Sequence, residues 1–178
     1  MNKDNKTLLL VGLGNPGKDY EMTFHNAGIA AIDSIYESLK DEGMTDWKKE
    51  DDFEYAKGEG LILVKPLIFM NESGRAVLKA LKKFKVPVSG LVVIQDDSDI
   101  PLGDHKISIS RGSAGHRGIE SIIRTLKNND FKRVRLGIRT SPGKAEEFVL
   151  KRMSSEAKKS LERAVYDFKG KLILKDNP

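Results

Sequence analysis

Apolar runs no longer than a strand alternate along this chain with stretches whose apolar residues recur at helical spacing. That alternation confines it to the α/β class. Thr7–Gly12 and Leu91–Gln95 are continuous apolar runs, as strands buried on both faces require. Phe53–Lys57 and Leu61–Lys65 flank Gly58–Gly60 as a hairpin does, Lys106–Ser110 alternates like a half-buried strand, and Val134–Ile138 is a further strand. Between them, Ile29, Ile32, Ile35, Tyr36 and Leu39 predict a first helix capped near His25–Asn26. Pro66 opens a loop through Gly74, and Ala76, Val77, Ala80, Leu81 and Phe84 predict a second helix. The loop Gly112–Gly118 opens a third, carrying Ile119, Ile122, Ile123 and Leu126. Ser154 or Ser155 caps a last one, with Leu161, Ala164, Val165 and Phe168 inward. The expectation is one domain over residues 1–178, a twisted mixed and largely parallel sheet with helices on both faces.

Ligands of such sheets bind where loops leave the carboxyl ends of the strands. Three of those loops carry, in turn, Asn15 and His25, then Asn71, then Asp96 in an acidic loop Asp96–Gly103. The chain has no cysteine, so thiolate nucleophiles, thiolate metal sites and disulfides are excluded. The remaining bases are three histidines and the carboxylates. A free imidazole, with a pKa of about 6.5, can take a proton from water near neutral pH, and a carboxylate beside it would fix its tautomer. Asp96, at the end of a buried strand, is the natural orienter of His25, with Asp97 and Asp99 as alternatives. The bland readings are a helix-capping histidine and an acidic surface loop, and a metal site in that loop is a third. The loop lacks the spacing of a calcium site, and no histidine pair at helical spacing accompanies it. Asn15 and Asn71 can donate to a carbonyl or a developing oxyanion, or can simply serve turns. No serine stands in a nucleophile-elbow sequence, so an activated water is the economical nucleophile.

Gly12-Leu13-Gly14-Asn15-Pro16-Gly17 spells the glycine pattern of a dinucleotide site. That site needs its third glycine inside a helix whose amides hold a pyrophosphate. Here Pro16 removes an amide, and helical periodicity starts only near Ala27, so the nucleotide reading is weak. Charge is uneven: from Gly103 onward 18 Lys or Arg stand against nine Asp or Glu, leaving the earlier part net negative. A basic half attracts polyanions, though it also serves solubility. No run approaches the roughly 18 apolar residues of a membrane span, and Leu8–Val11 is too short for a secretory core, so a cytoplasmic chain is expected.

Several segments, in order, resemble the bacterial-type peptidyl-tRNA hydrolases: Val11–Gly17 (VGLGNPG), Tyr20, His25–Gly28 (HNAG), Phe69–Gly74 (FMNESG), Asp96–Gly103 (DDSDIPLG), Gly115–Gly118 (GHRG) and Arg133–Arg139 (RVRLGIR). The resemblance covers about residues 7–168. It implies hydrolysis of the ester between a peptide and the terminal ribose of tRNA, without metal or organic cofactor, by a monomer. It also implies His25 as general base, Asp96 as its orienter, and Asn15 and Asn71 on the peptide. Tyr20, Phe69, Met70, Gly115 and Arg117 fall in the substrate crevice, and Arg135 on the tRNA 5′-phosphate.

The chain departs from the family's pattern at several places. Phe24 stands where arginine is usual, Arg117 where asparagine is, and Gln95 where histidine is. Ser108 stands where a phosphate-clamping lysine is usual, so Lys106 is expected to substitute for it. The chain also ends soon after Phe168, as if its last helix were clipped. Phe24 and Arg117 keep open a second reading, an RNA-binding member of the fold without catalysis.

Overall fold

The computed structural model describes residues 7–144 and 148–173. Seven strands form one sheet: β1 (Leu8–Gly12), β2 (Lys48–Lys49), β3 (Phe53–Gly58), β4 (Leu61–Pro66), β5 (Leu91–Pro101), β6 (His105–Ile109) and β7 (Lys132–Arg139). Their order is β2-β3-β4-β1-β5-β7-β6. β1 pairs in parallel with β4 and β5, and β5 with β7, whereas β2/β3, β3/β4 and β6/β7 are antiparallel. The mixed, centrally parallel sheet is therefore as the sequence pattern predicts.

Four helices cover it among the described residues: α1 (Ala27–Leu39), α2 (Ser73–Phe84), α3 (Arg117–Leu126) and α4 (Ser155–Ile173). Successive strand side chains point to opposite faces, which splits the apolar runs between two cores. Leu10, Val92, Ile94 and Val134 pack with Ile32 and Ile35 of α1 and Leu161, Val165 and Phe168 of α4. Leu9, Val11, Leu91 and Val93 pack with Ala76, Val77 and Ala80 of α2 and Ile119 and Ile122 of α3. Both faces of β1 and β5 are thus sealed, which is why their sequences run apolar without alternation.

From β1 the chain passes through α1 to the β2–β4 side, and then α2 carries it across to β5 on the other side of β1. The connections diverge at the carboxyl ends of β1 and β5, the switch point where a crevice opens in such sheets. Two glycines let α1 sit directly on that point. A Cβ on Gly12 would overlap the Gly28 carbonyl, and one on Gly28 would overlap the Ile94 carbonyl and the Leu13 amide.

Three expectations need correction. Asp96–Gly103 is not a loop from its first residue: β5 runs on to Pro101, because β7 goes on pairing with it through Asp97 and again at Pro101. Asp96 therefore stands on a strand, beyond the last residue of β1. Neither His25 nor Asn26 caps α1 with its side chain: a 3-10 turn at Phe24–Asn26 leads into the helix and frees both side chains for other partners. Ile107 and Ile109 of β6 are 42% and 51% exposed, since this edge strand has no helix over its outer part. The last helix runs to Ile173 among the described residues and is started by Ser154, whose Oγ accepts from the Ala157 amide.

Candidate active site

His25 is fixed by its backbone before its ring makes any bond. Its N–H donates to the Val149 carbonyl at 2.7 Å, and the Phe24 N–H donates to Lys151 at 3.0 Å. The Met153 N–H returns a bond to Met22, so residues 22–25 and 149–153 lie side by side like two short strands. The Phe24 side chain is buried in the α1/α4 core, so that substitution acts on packing and does not enter the crevice.

The imidazole then reaches Asp96. Its Nδ1 lies 2.9 Å from Oδ1 and 3.0 Å from Oδ2 of a carboxylate that is 3% exposed. A second histidine, His116, places Nε2 2.9 Å from the same Oδ1. Burial pushes the Asp96 carboxyl upward, but His116 and then His25 outweigh it and hold the group down at about 2. Asp96 is therefore ionised throughout the neutral range and can only accept hydrogen bonds.

This fixes the protons. His116 is the N-cap of α3, and its Nδ1 accepts from the Gly118 and Ile119 amides at 3.2 and 3.4 Å. Its hydrogen must then sit on Nε2, donated to Asp96. His25 likewise donates Nδ1–H to Asp96, and in the neutral imidazole this leaves the lone pair on Nε2. The three side chains bring ligand-type atoms within 4.8 Å of one another. A cation there would need lone pairs on the two ring nitrogens that now carry hydrogens, so the chemistry of the cluster fits hydrogen bonding better than metal ligation. Sequence reasoning gave His116 no role, although the Gly115–Gly118 segment containing it had been singled out. Its signal was a histidine just ahead of a helical period.

A cavity of about 630 Å³ opens over the dyad. Asn15, Tyr20, Phe69, Met70 and Asn71 line it, together with His25, Asp96, Gly115 and Arg117. The Asn15 side-chain oxygen accepts from the Met70 amide at 2.8 Å, which turns its NH₂ end out as the free donor. Tyr20 and Phe69 meet edge to face at 6.5 Å between ring centres. Leu150, 58% exposed on the segment that holds His25, adds an apolar lip that the sequence did not reveal. Gln95 is buried at the cavity edge and donates to the Asp96 carbonyl.

Two predicted site residues lie elsewhere. Arg135 and Lys106 stand opposite each other on β7 and β6, outside the cavity lining. Arg135 is tied through Nε to Asp97 at 2.7 Å, and Asp97 itself lines the cavity. The glycine turn holds no pyrophosphate cradle: the Leu13 amide donates to Ile94 and the Asn15 amide to Asn26 Oδ1, and among the described residues no α-helix starts before Ala27.

Fold and site together define an α/β protein with a histidine–carboxylate base set at the switch point of its sheet. The family described as peptidyl-tRNA hydrolase matches residues 9–174, and the chain belongs to that family. A peptidyl-tRNA hydrolase of Caldanaerobacter subterraneus subsp. tengcongensis is 41% identical over 159 residues, covering 88% of this chain and 86% of the relative. One from Aquifex aeolicus is 38% identical, covering 88% and 83%. The crystal structure of peptidyl-tRNA hydrolase from Acinetobacter baumannii superposes with a TM-score of 0.82 at 28% identity, covering 99% of this chain and 92% of that one.

Proposed function

We propose that this chain hydrolyses the ester joining a peptide, or an N-blocked aminoacyl group, to the 3′-terminal ribose of tRNA, and so returns the tRNA to translation. The observation that carries the reading is the His25–Asp96 pair, with a proton-free Nε2 facing a cavity lined by two asparagine amides. Water attacks the ester carbonyl carbon as His25 Nε2 takes its proton, and Asp96 stabilises the imidazolium. Asn15 and Asn71 donate to the peptide and to the oxyanion. The tetrahedral intermediate then expels the ribose oxygen, which takes the proton back from His25, leaving a free hydroxyl on tRNA and a carboxylic acid on the peptide.

Tyr20, Phe69 and Met70 suit the terminal nucleoside, with Gly115 and Arg117 beside it. Arg135 and Lys106 suit a phosphate, a contact that sets affinity without reading sequence. No step calls for a metal or cofactor. All of these residues come from one chain, so a monomer suffices, and the substrate implies a cytoplasmic enzyme. Among the described residues no helix is long and apolar enough to cross a membrane. The RNA-binding alternative loses its main grounds, since Phe24 is turned into the core and Arg117 leaves the dyad intact.

The test is release of N-acylated amino acid from tRNA by the purified chain, against free aminoacyl-tRNA, with and without chelator. Cleavage of the blocked ester alone, unaffected by chelator and abolished in His25→Ala, is the expected result. A His25→Ala variant retaining more than about a tenth of the rate would remove the general base from this mechanism.

A further inference from the structure

Asn26, the residue after His25, is 3% exposed and spends both ends of its amide on one neighbour. Its Oδ1 accepts from the Asn15 N–H at 2.8 Å, and its Nδ2 donates to the Asn15 carbonyl at 2.9 Å. This two-point bond imitates a strand pairing, and it needs a donor and an acceptor side by side on one short side chain. The far side of Asn15 is held as well, by the Met70 amide on its Oδ1. Three bonds thus fix Asn15, and only its NH₂ remains for a ligand. The seat also accounts for Gly14: a Cβ there would stand 2.9 Å from the carbon and oxygen of the Asn26 amide.

We infer that Asn26 is a positioning residue that yokes the base to the amide that grips the acyl group. His25 is its chain neighbour, and Asn15 is its hydrogen-bonded partner. One buried side chain therefore sets the distance between the proton acceptor and the carbonyl-holding donor. Asn26 touches no substrate; it acts through Asn15. The inference rests on the ester-hydrolase reading, in which Asn15 holds the acyl group.

Asn26→Asp keeps the acceptor for the Asn15 amide but turns the donor into a second oxygen facing the Asn15 carbonyl. The experiment compares kcat/KM on N-acyl-aminoacyl-tRNA for wild type, Asn15→Ala, Asn26→Asp and the double variant, with melting temperatures and pH profiles alongside. Asn26→Asp should lose about 30-fold or more, the effect of one lost hydrogen bond together with a buried carboxylate oxygen set against the Asn15 carbonyl. The double variant should be no worse than Asn15→Ala alone by more than about threefold, because both changes remove the same contact. In Asn26→Ser, which adds no charge beside His25, the pH profile should keep its shape, since the His25–Asp96 pair is untouched. Losses that multiply in the double variant would overturn the inference. Should Asn26→Asp fail to fold, Asn26→Ser, which retains an acceptor, is read by the same cycle. A wild type that cleaves no blocked ester would instead refute the activity, not the yoke.

Discussion

Replacing Asp96 by Asn separates the role of its charge from that of its shape. His116 cannot adapt to the change, because its Nδ1 is occupied by the α3 amides and its Nε2–H must find an acceptor. The new side chain therefore keeps its oxygen at the position of Oδ1, 2.9 Å from both His116 Nε2 and His25 Nδ1, and presents its NH₂ at the position of Oδ2, 3.0 Å from that same Nδ1. A donor there competes with the oxygen for Nδ1 and favours the tautomer whose proton sits on Nε2, the nitrogen that the mechanism needs bare. The charge is lost as well. With imidazolium and carboxylate centres about 4 Å apart, the attraction is worth roughly 4 kcal/mol at an effective dielectric of about 20. That converts to about three decades of rate, and the tautomer change adds to it, so kcat should fall by about 10³–10⁴. Single-turnover hydrolysis of N-acyl-aminoacyl-tRNA at saturating enzyme measures it. A single Asp96→Asn variant above about a tenth of the wild-type rate would refute the proton assignment.

Removal of Arg135 should weaken tRNA binding and lower the slope of log K against log salt by about 0.9, with kcat at saturation unchanged; filter binding across salt concentrations reads it, and an unchanged slope rules out the phosphate contact. Asp96 also makes a pH prediction for stability. Its folded pKa is depressed from 3.8 to about 2, so its contribution is complete above the unfolded value and is lost as pH falls through the folded one. The stability advantage of wild type over Asp96→Asn in urea should shrink by about 2 kcal/mol between pH 5 and pH 2; a constant difference would show that the carboxylate is not held ionised by its histidines.

The fold was legible because its central strands are buried on both sides and its helices on one, and each state leaves its own period in the sequence. Asp96 is instructive where that reading slipped. Acidic residues with Gly103 look like a loop, and by composition they should be one. They stay in the sheet because β7 extends alongside them, and because Asp97 finds Arg135. That pairing is long-range, so no local window contains it. The exposed isoleucines of β6 are a similar case: alternation shows that a strand has two faces, but not whether anything covers the second.

His25 and Asp96 can be paired from sequence because each follows a buried apolar run, Thr7–Gly12 or Leu91–Gln95, that leads to the same end of the sheet. His116 and Asn26 could not, because what matters in them is which atoms are already spent. A histidine between glycines shows neither that its Nδ1 caps a helix nor that its Nε2 must then donate. Yet that constraint fixes how His116 holds the carboxylate whose accepting oxygens set the His25 proton on Nδ1. The dyad is better regarded as the end of a chain of fixed protons that starts at the α3 amides, runs through His116 to a carboxylate that can only accept, and stops at the one nitrogen left without a hydrogen. The geometry of the His25–Asp96 pair is therefore held from the start of α3 as well as from the loop that carries His25.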